Sequence, residues 1–233
     1  MILKKKIYIC LCILTLALGC SKDNEPDEVE VTTDIDLPED FKVVIVQPII
    51  ITNDTGVASF YDVDLEKINN AYSRAKVKFV FLKTKSVKND AIYNGSMGLG
   101  EMKNWLSDNN HLAGDRDIVN LVCTENLAGS GGPIGRAEVP GSVTFLAFDS
   151  NVGSILNVFV VSHEVGHNFG LKHANEDENV DNELPNVMGN GDYEDRLNPK
   201  NSFNSYQIDI IRNANITHDE EKAKALIEKY NLE

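Results

Sequence analysis

Apolar and polar positions follow two rhythms along this chain, and the change from one to the other marks out its elements. Residues 41–51 (FKVVIVQPIII) form a continuous β-branched run of the kind a buried strand needs. Within it Pro48 implies a strand end or bulge nearby, because proline donates no ladder hydrogen bond. Asp64 then offers an N-cap to a helix over 65–76, where Leu65, Ile68, Ala71, Tyr72 and Ala75 recur at helical spacing. A second strand follows at 77–82, and the order strand, helix, strand implies a right-handed crossover with parallel pairing. Residues 98–111 read as a short helix carrying Met102, Trp105 and Leu106, and 117–123 as a third strand. Residues 136–139 and 143–148 read as an antiparallel pair about a Pro-Gly turn. From 153 to 169 the period is helical again, through Ile155, Leu156, Phe159 and Val160. Thr217-His218-Asp219-Glu220 is a capping-box pattern opening a terminal helix on which Ala223, Leu226, Ile227 and Tyr230 share a face.

The first residues follow neither rhythm. Lys4, Lys5 and Lys6 precede an apolar run over 7–18, too short to span a bilayer and suited to an export signal. The run ends Ala17-Leu18-Gly19-Cys20, which resembles the lipobox of bacterial lipoproteins, with Ala17 where that family more often has Leu. The resemblance implies removal of 1–19 and a lipid on the Cys20 thiol. A thioether-linked lipid and an N-acyl chain would supply two anchoring signals, tethering the protein without a membrane span. Residues 20–40 read as a flexible acidic linker, since 22–40 hold nine carboxylates, one Lys and two Pro. Its opening, Cys20-Ser21-Lys22-Asp23-Asn24-Glu25, resembles the acidic signal that sends some lipoproteins to the surface of the outer membrane, and fits a solvated spacer equally. The expected location is therefore the outer membrane, on its periplasmic or cell-surface face.

Composition narrows the function. An apolar fraction of 42% with 25% charged residues is that of a folded protein. The net charge of −14 sets nucleic acid aside, because a phosphate-binding surface would have to be built against the overall field. Cys10 and Cys12 leave with the signal and Cys20 takes the lipid, so Cys123 stands alone as a small buried thiol. The exported body, 41–233, then depends on its core and any metal rather than on disulfides.

The helical run over 153–169 enters His163-Glu164-Val165-Gly166-His167-Asn168-Phe169-Gly170-Leu171-Lys172-His173. Positions four apart on a helix differ by about 40° around the axis, so His163 and His167 face one side and can share an ion. Glu164 lies one step round, placed to touch a water on that ion as a general base. Gly170 can take the positive φ that ends the helix and returns His173 as a third ligand. Three neutral nitrogens leave the fourth position of a zinc ion open, which marks a catalytic site. The whole pattern has a chance expectation on the order of 10⁻⁵ per sequence of this composition, so it is read as a site rather than as histidines covering a core.

These residues resemble the metzincin metallopeptidases. That clan carries a Met-turn after its third histidine, and Pro185-Asn186-Val187-Met188-Gly189 looks like one, with Met188 forming an apolar floor beneath the metal. Ile68-Asn69-Asn70-Ala71-Tyr72 before Val77-Lys78-Phe79-Val80-Phe81 looks like the first helix and strand of pappalysin-type domains, and adamalysin-like enzymes are the second match. The resemblance implies an α+β fold: a twisted mixed sheet with a backing helix and an active-site helix over 41–170. A small C-terminal subdomain over 171–233 would hold the Met-turn and terminal helices. It implies one catalytic Zn²⁺, a protein or peptide substrate paired with an edge strand near 132–139, and a side-chain pocket over 189–199. Astacin- and serralysin-like members place a Tyr two residues after the Met, where this chain has Asn190, so no such role is assigned.

Other polar clusters carry less. Glu176, Asp177, Glu178, Asp181 and Glu183 fit a structural Ca²⁺ site or a solvated acidic loop, and match no EF-hand spacing. His111 and His218 have no partner pattern and read as surface residues. A zinc endopeptidase is thus the expected function. The alternative is a surface lipoprotein that binds zinc or peptide without turnover, against which the retention of Glu164 speaks.

Overall fold

The unbroken apolar run of Val43, Val44, Ile45 and Val46 builds a strand buried on both faces, an interior strand of a six-stranded mixed sheet among the described residues. The structure is a computed structural model and describes residues 37–61, 63–114, 116–127, 135–147 and 154–231. Strand β1 is Lys42–Thr52, followed by helix α1 Leu65–Tyr72, strand β2 Val77–Phe81, strand β3 Lys85–Lys88, and helices α2 Asp90–Tyr93 and α3 Leu99–Asp108. Then come β4 Val119–Cys123, β5 Gly135–Ala137, β6 Val143–Leu146, α4 Ser154–Asn168, α5 Tyr193–Leu197, α6 Ser205–Asn213 and α7 Glu220–Asn231. The strand order is β2-β1-β4-β6-β5, parallel except for β5, which runs antiparallel to β6. This is the expected mixed sheet with a backing helix, α1, and a site helix, α4.

Even and odd positions of β1 serve different layers. Val44 and Val46 pack toward α1 and α4 with Leu121, Cys123 and Leu146. Val43 and Ile45 meet Ala223 and Ile227 of α7, and Ile49 and Ile51 meet Met102 and Leu106 of α3. Tyr72 at the end of α1 lies 4.8 Å from Phe79, 5.7 Å from Phe169 and 4.7 Å from Phe203 between ring centroids. Its hydroxyl donates to the Ser162 carbonyl at 2.7 Å, so one buried tyrosine holds the backing helix to the site helix.

Several expectations are corrected. Pro48 neither ends nor bulges β1. The strand pairs with β2 through Val46 and with β3 from Ile49, and Pro48 falls where one partner gives way to the other. The Val46 carbonyl accepts from Leu82 at 2.8 Å, so by alternation the missing Pro48 donor faces that junction. The Gln47 amide fills it, donating to the carbonyls of Lys83 at 2.7 Å and Pro48 at 3.0 Å. Helix α1 stops at Tyr72 and tightens into a 3₁₀ turn before Lys76, which takes φ 53°.

The terminal helix is capped by Asp219, whose carboxylate accepts from the Lys222 N–H at 2.9 Å, and not by Thr217. Thr217 instead donates its hydroxyl to the Ile211 carbonyl at 2.7 Å. His218 is not a surface residue: it is 2% exposed, and its backbone exchanges two 2.8 Å hydrogen bonds with Val43. His111 is half-buried with its ring 5.3 Å from that of Trp105. Cys123 is fully buried, as read, and burial pushes its thiol pKa up. The export signal, Cys20 and most of the linker lie outside the described residues, and no helix among the described residues is long and apolar enough to cross a membrane.

Candidate active site

Helix α4 ends because Gly170 takes φ +100°. Its N–H donates to the His167 carbonyl at 2.8 Å and the Leu171 N–H to the Gly166 carbonyl at 3.1 Å, the paired bonds of a Schellman turn. The same turn aims a ligand, since the Leu171 carbonyl lies 2.8 Å from Nδ1 of His167. Nδ1 of His163 meets the Val187 carbonyl at 2.8 Å in the same way. A carbonyl only accepts, so both Nδ1 atoms carry the proton and both Nε2 atoms present a lone pair.

His173, exposed beyond the turn, completes the group. Ligating atoms of His163, His167 and His173 lie within 4.8 Å of one another, and the Nε2 atoms of His167 and His173 are 3.2 Å apart. Two nitrogens each about 2.0–2.1 Å from one tetrahedral zinc stand about 3.3–3.4 Å apart, so the donor set fits that ion in number, chemistry and span. Burial lowers the pKa of His163 to about 4 and that of His167 below its usual value, leaving both neutral and ready as ligands at neutral pH. Among the described residues this is the group that could hold a metal. Glu176, Glu178, Asp181 and Glu183 are exposed, and the carboxylates of Asp177 and Asp181 accept from the N–H groups of Asn179 and Glu183 at 3.0 and 2.9 Å.

Glu164 is 8% exposed on the sheet side of α4, and among the described residues no hydrogen bond holds its carboxylate. Burial raises its pKa to about 7, opposed by the Arg136 guanidinium on β5. The strand passes so close that a Cβ on Gly135 would stand 2.5 Å from Glu164 Cγ. The antiparallel edge strand therefore lies against the general-base candidate at Gly135–Ala137, inside the expected 132–139, of which 132–134 are outside the described residues.

Met188, 1% exposed, lies beneath the ligand helix, and a Cβ on Gly166 would meet its sulfur at 2.4 Å. The smallest residue between the two helix histidines thus makes room for the thioether. The turn is fastened by a reciprocal amide pair, Asn186 Nδ2 to Gln207 Oε1 at 2.7 Å and Gln207 Nε2 to Asn186 Oδ1 at 3.2 Å. The Asn186 Oδ1 also accepts from the Met188 N–H at 2.9 Å.

Sequence reasoning missed Arg196. Its guanidinium donates to the carbonyls of Asn186 and Val187 and lies 3.9 Å from the centroid of the Phe159 ring. Burial lowers its pKa to about 10. It missed Asn168 too, whose amide joins α4 to the β5–β6 hairpin through the Thr144 hydroxyl at 2.6 Å and the carbonyls of Glu138 and Val143. Neither residue type stands at a spacing that signals such a contact.

Residues 61–174, just under half of the chain, match the family model described as metallo-peptidase family M12B, reprolysin-like. The matched segment includes all three histidines and Glu164. A search of curated proteins found no match. Among solved structures, archaemetzincin from Archaeoglobus fulgidus in complex with malonate is 19% identical over 72% of this chain and 99% of its own, with a TM-score of 0.40. Archaemetzincin from Methanopyrus kandleri is 18% identical over 84% and 99%, with a TM-score of 0.39. Metalloproteinase-II from Bacteroides fragilis is 16% identical over 76% of this chain and 55% of its own, with a TM-score of 0.42.

Proposed function

We propose that this chain is a zinc-dependent endopeptidase in which His163, His167 and His173 hold the metal and Glu164 is the general base. The observation that carries the reading is the convergence of three imidazoles, two of them on one helix with Nε2 freed by carbonyl-bound Nδ1 atoms, beside a buried carboxylate of that same helix. Zinc held by these three histidines would supply Lewis acidity to the scissile carbonyl and to the attacking water. Glu164 takes the water proton at a carboxylate oxygen and passes it to the departing amine. Its burial favours holding the proton between those two events. The outer edge of β5 offers backbone donors and acceptors to an extended peptide beside Glu164.

Replacing Glu164 by Gln should leave one zinc per chain and reduce peptide hydrolysis by about 10²–10⁴-fold. Unchanged hydrolysis would remove Glu164 from the mechanism. Stoichiometric zinc without cleavage of a mixed peptide library by the wild type would leave the non-catalytic zinc- or peptide-binding alternative.

Within the metzincin clan, the helix and strand at 68–81 support a pappalysin-type layout, while the matched family model is reprolysin-like. The lipid anchor at Cys20, and with it attachment to the bacterial outer membrane, rests on Lys4–Lys6, the apolar run over 7–18 and Gly19-Cys20. Cells fed labelled palmitate should incorporate it into the wild type and not into Cys20→Ala. Equal labelling of both would sink the anchor.

A further inference from the structure

Val187 lends one carbonyl to two donors. His163 Nδ1 reaches it at 2.8 Å and Arg196 Nη2 at 3.0 Å, while Arg196 Nε reaches the adjoining Asn186 carbonyl at 2.9 Å. The guanidinium also lies 3.9 Å from the centroid of Phe159, which sits one helical turn before His163 with the two rings 5.6 Å apart. One half-buried side chain on α5 therefore touches both the turn that carries Met188 and the helix that carries two of the three ligands.

The planar fork suits this arrangement in a way an ammonium does not. Two parallel N–H groups span successive carbonyls and fix the plane of the Val187–Met188 peptide, to which the Val187 carbonyl belongs, relative to the peptide before it, while the flat face rests on the aromatic ring. That plane sets the direction from which the Val187 carbonyl meets the imidazole. A ring held at Nδ1 has its Nε2 lone pair aimed by the same bond.

We propose that Arg196 is a positioning residue of the metal centre: its fork orients the Val187 carbonyl, and that carbonyl aims Nε2 of His163 at the ion. The proposal rests on the zinc reading given above. A brace that served stability alone would lower the melting temperature of the metal-free protein and leave metal affinity and ligand geometry untouched. The positive charge of Arg196 opposes a dication, so a variant that keeps the charge isolates the orienting effect.

The decisive variant of the full-length protein is Arg196→Lys, which retains the charge and loses the fork. Zinc affinity is read by competition with a chromophoric chelator, ligand geometry by the visible spectrum of the cobalt-substituted protein, and folding by unfolding of the metal-free form. The expected result is a cooperative unfolding transition, zinc affinity reduced by about tenfold or more, and an altered cobalt spectrum. Affinity and spectrum both equal to wild type would overturn the proposal, whatever the change in melting temperature. Arg196→Gln, whose amide can serve one carbonyl, decides by the same two readings if the lysine variant does not fold. A wild type that binds neither zinc nor cobalt would overturn the zinc reading itself and this proposal with it.

Discussion

Gly135 leaves its own side of the strand empty so that Glu164 can fill it. A methyl group there would stand 2.5 Å from Glu164 Cγ and 2.8 Å from Oε1, distances that real Cβ contacts do not show. Because Cγ is midway along the side chain, the carboxylate cannot swing clear without leaving its position over the ligand helix. Gly135→Ala should therefore lower kcat by about 10–100-fold, the scale of loss an ångström of misplacement causes, while zinc content stays at one per chain. Steady-state kinetics with metal analysis checks this, and an alanine variant of normal kcat would show that Glu164 is not confined by the strand. Gly166 has a parallel part toward Met188, at 2.4 Å from a would-be Cβ. These two glycines differ in legibility. Gly166 falls within the histidine motif, where a missing side chain beneath two ligands is conspicuous; Gly135 is marked by nothing local, since what it makes room for is 29 positions away in the chain.

At the scale of elements, local signals were good where one segment sets its own boundaries. Asp64 caps α1, with its carboxylate accepting from the Lys67 N–H at 3.1 Å, and Gly170 ends α4, both as read from the chain. The readings failed where a second element decides. Pro48 looked like a break and is tolerated because β2 and β3 share one edge of β1, leaving a junction where no donor is required. The capping box at Thr217 lost to Asp219 because the preceding residues are drawn into pairing with β1: His218 spends both backbone groups on Val43. Strand β3 and the four-residue helix α2 were not foreseen, being too short for periodicity to mark.

Across the whole molecule, His218 links the chain end to the middle of the sheet and gives stability a pH dependence. Its Nε2 reaches the Asp117 carbonyl at 2.7 Å, with Asp117 paired to Lys222 at 2.9 Å and Asp219 nearby. Burial lowers its pKa below the ordinary 6.5, so the folded state resists a proton that the unfolded chain accepts. Stability contributed by the neutral ring is complete above about pH 6.5 and is lost as pH falls toward the folded-state value. His218→Gln, which can still donate to the Asp117 carbonyl, should therefore lose less melting temperature than wild type between about pH 7.5 and about pH 5.5. Thermal unfolding of the zinc-loaded proteins at the two pH values tests it, and equal losses would mean that His218 is not the sensor.

From the sequence alone came the spacing of His163, His167 and His173, the carboxylate beside them, the turn at Gly170 and the helical and strand periods around them. Each depends on contacts within one element or one turn, where 3.6 and 2 residue periods and positive φ act over a few positions. Tertiary structure alone decided which strand faces Glu164, which carbonyls orient His163 and His167, how Arg196 and Asn168 join the turn at Met188 and the hairpin to the histidine-bearing helix, and how Gln207 ties that turn to α6. Those contacts join residues far apart in the chain, and a hydrogen bond between a side chain and a distant backbone carbonyl leaves no period or motif for a sequence to display.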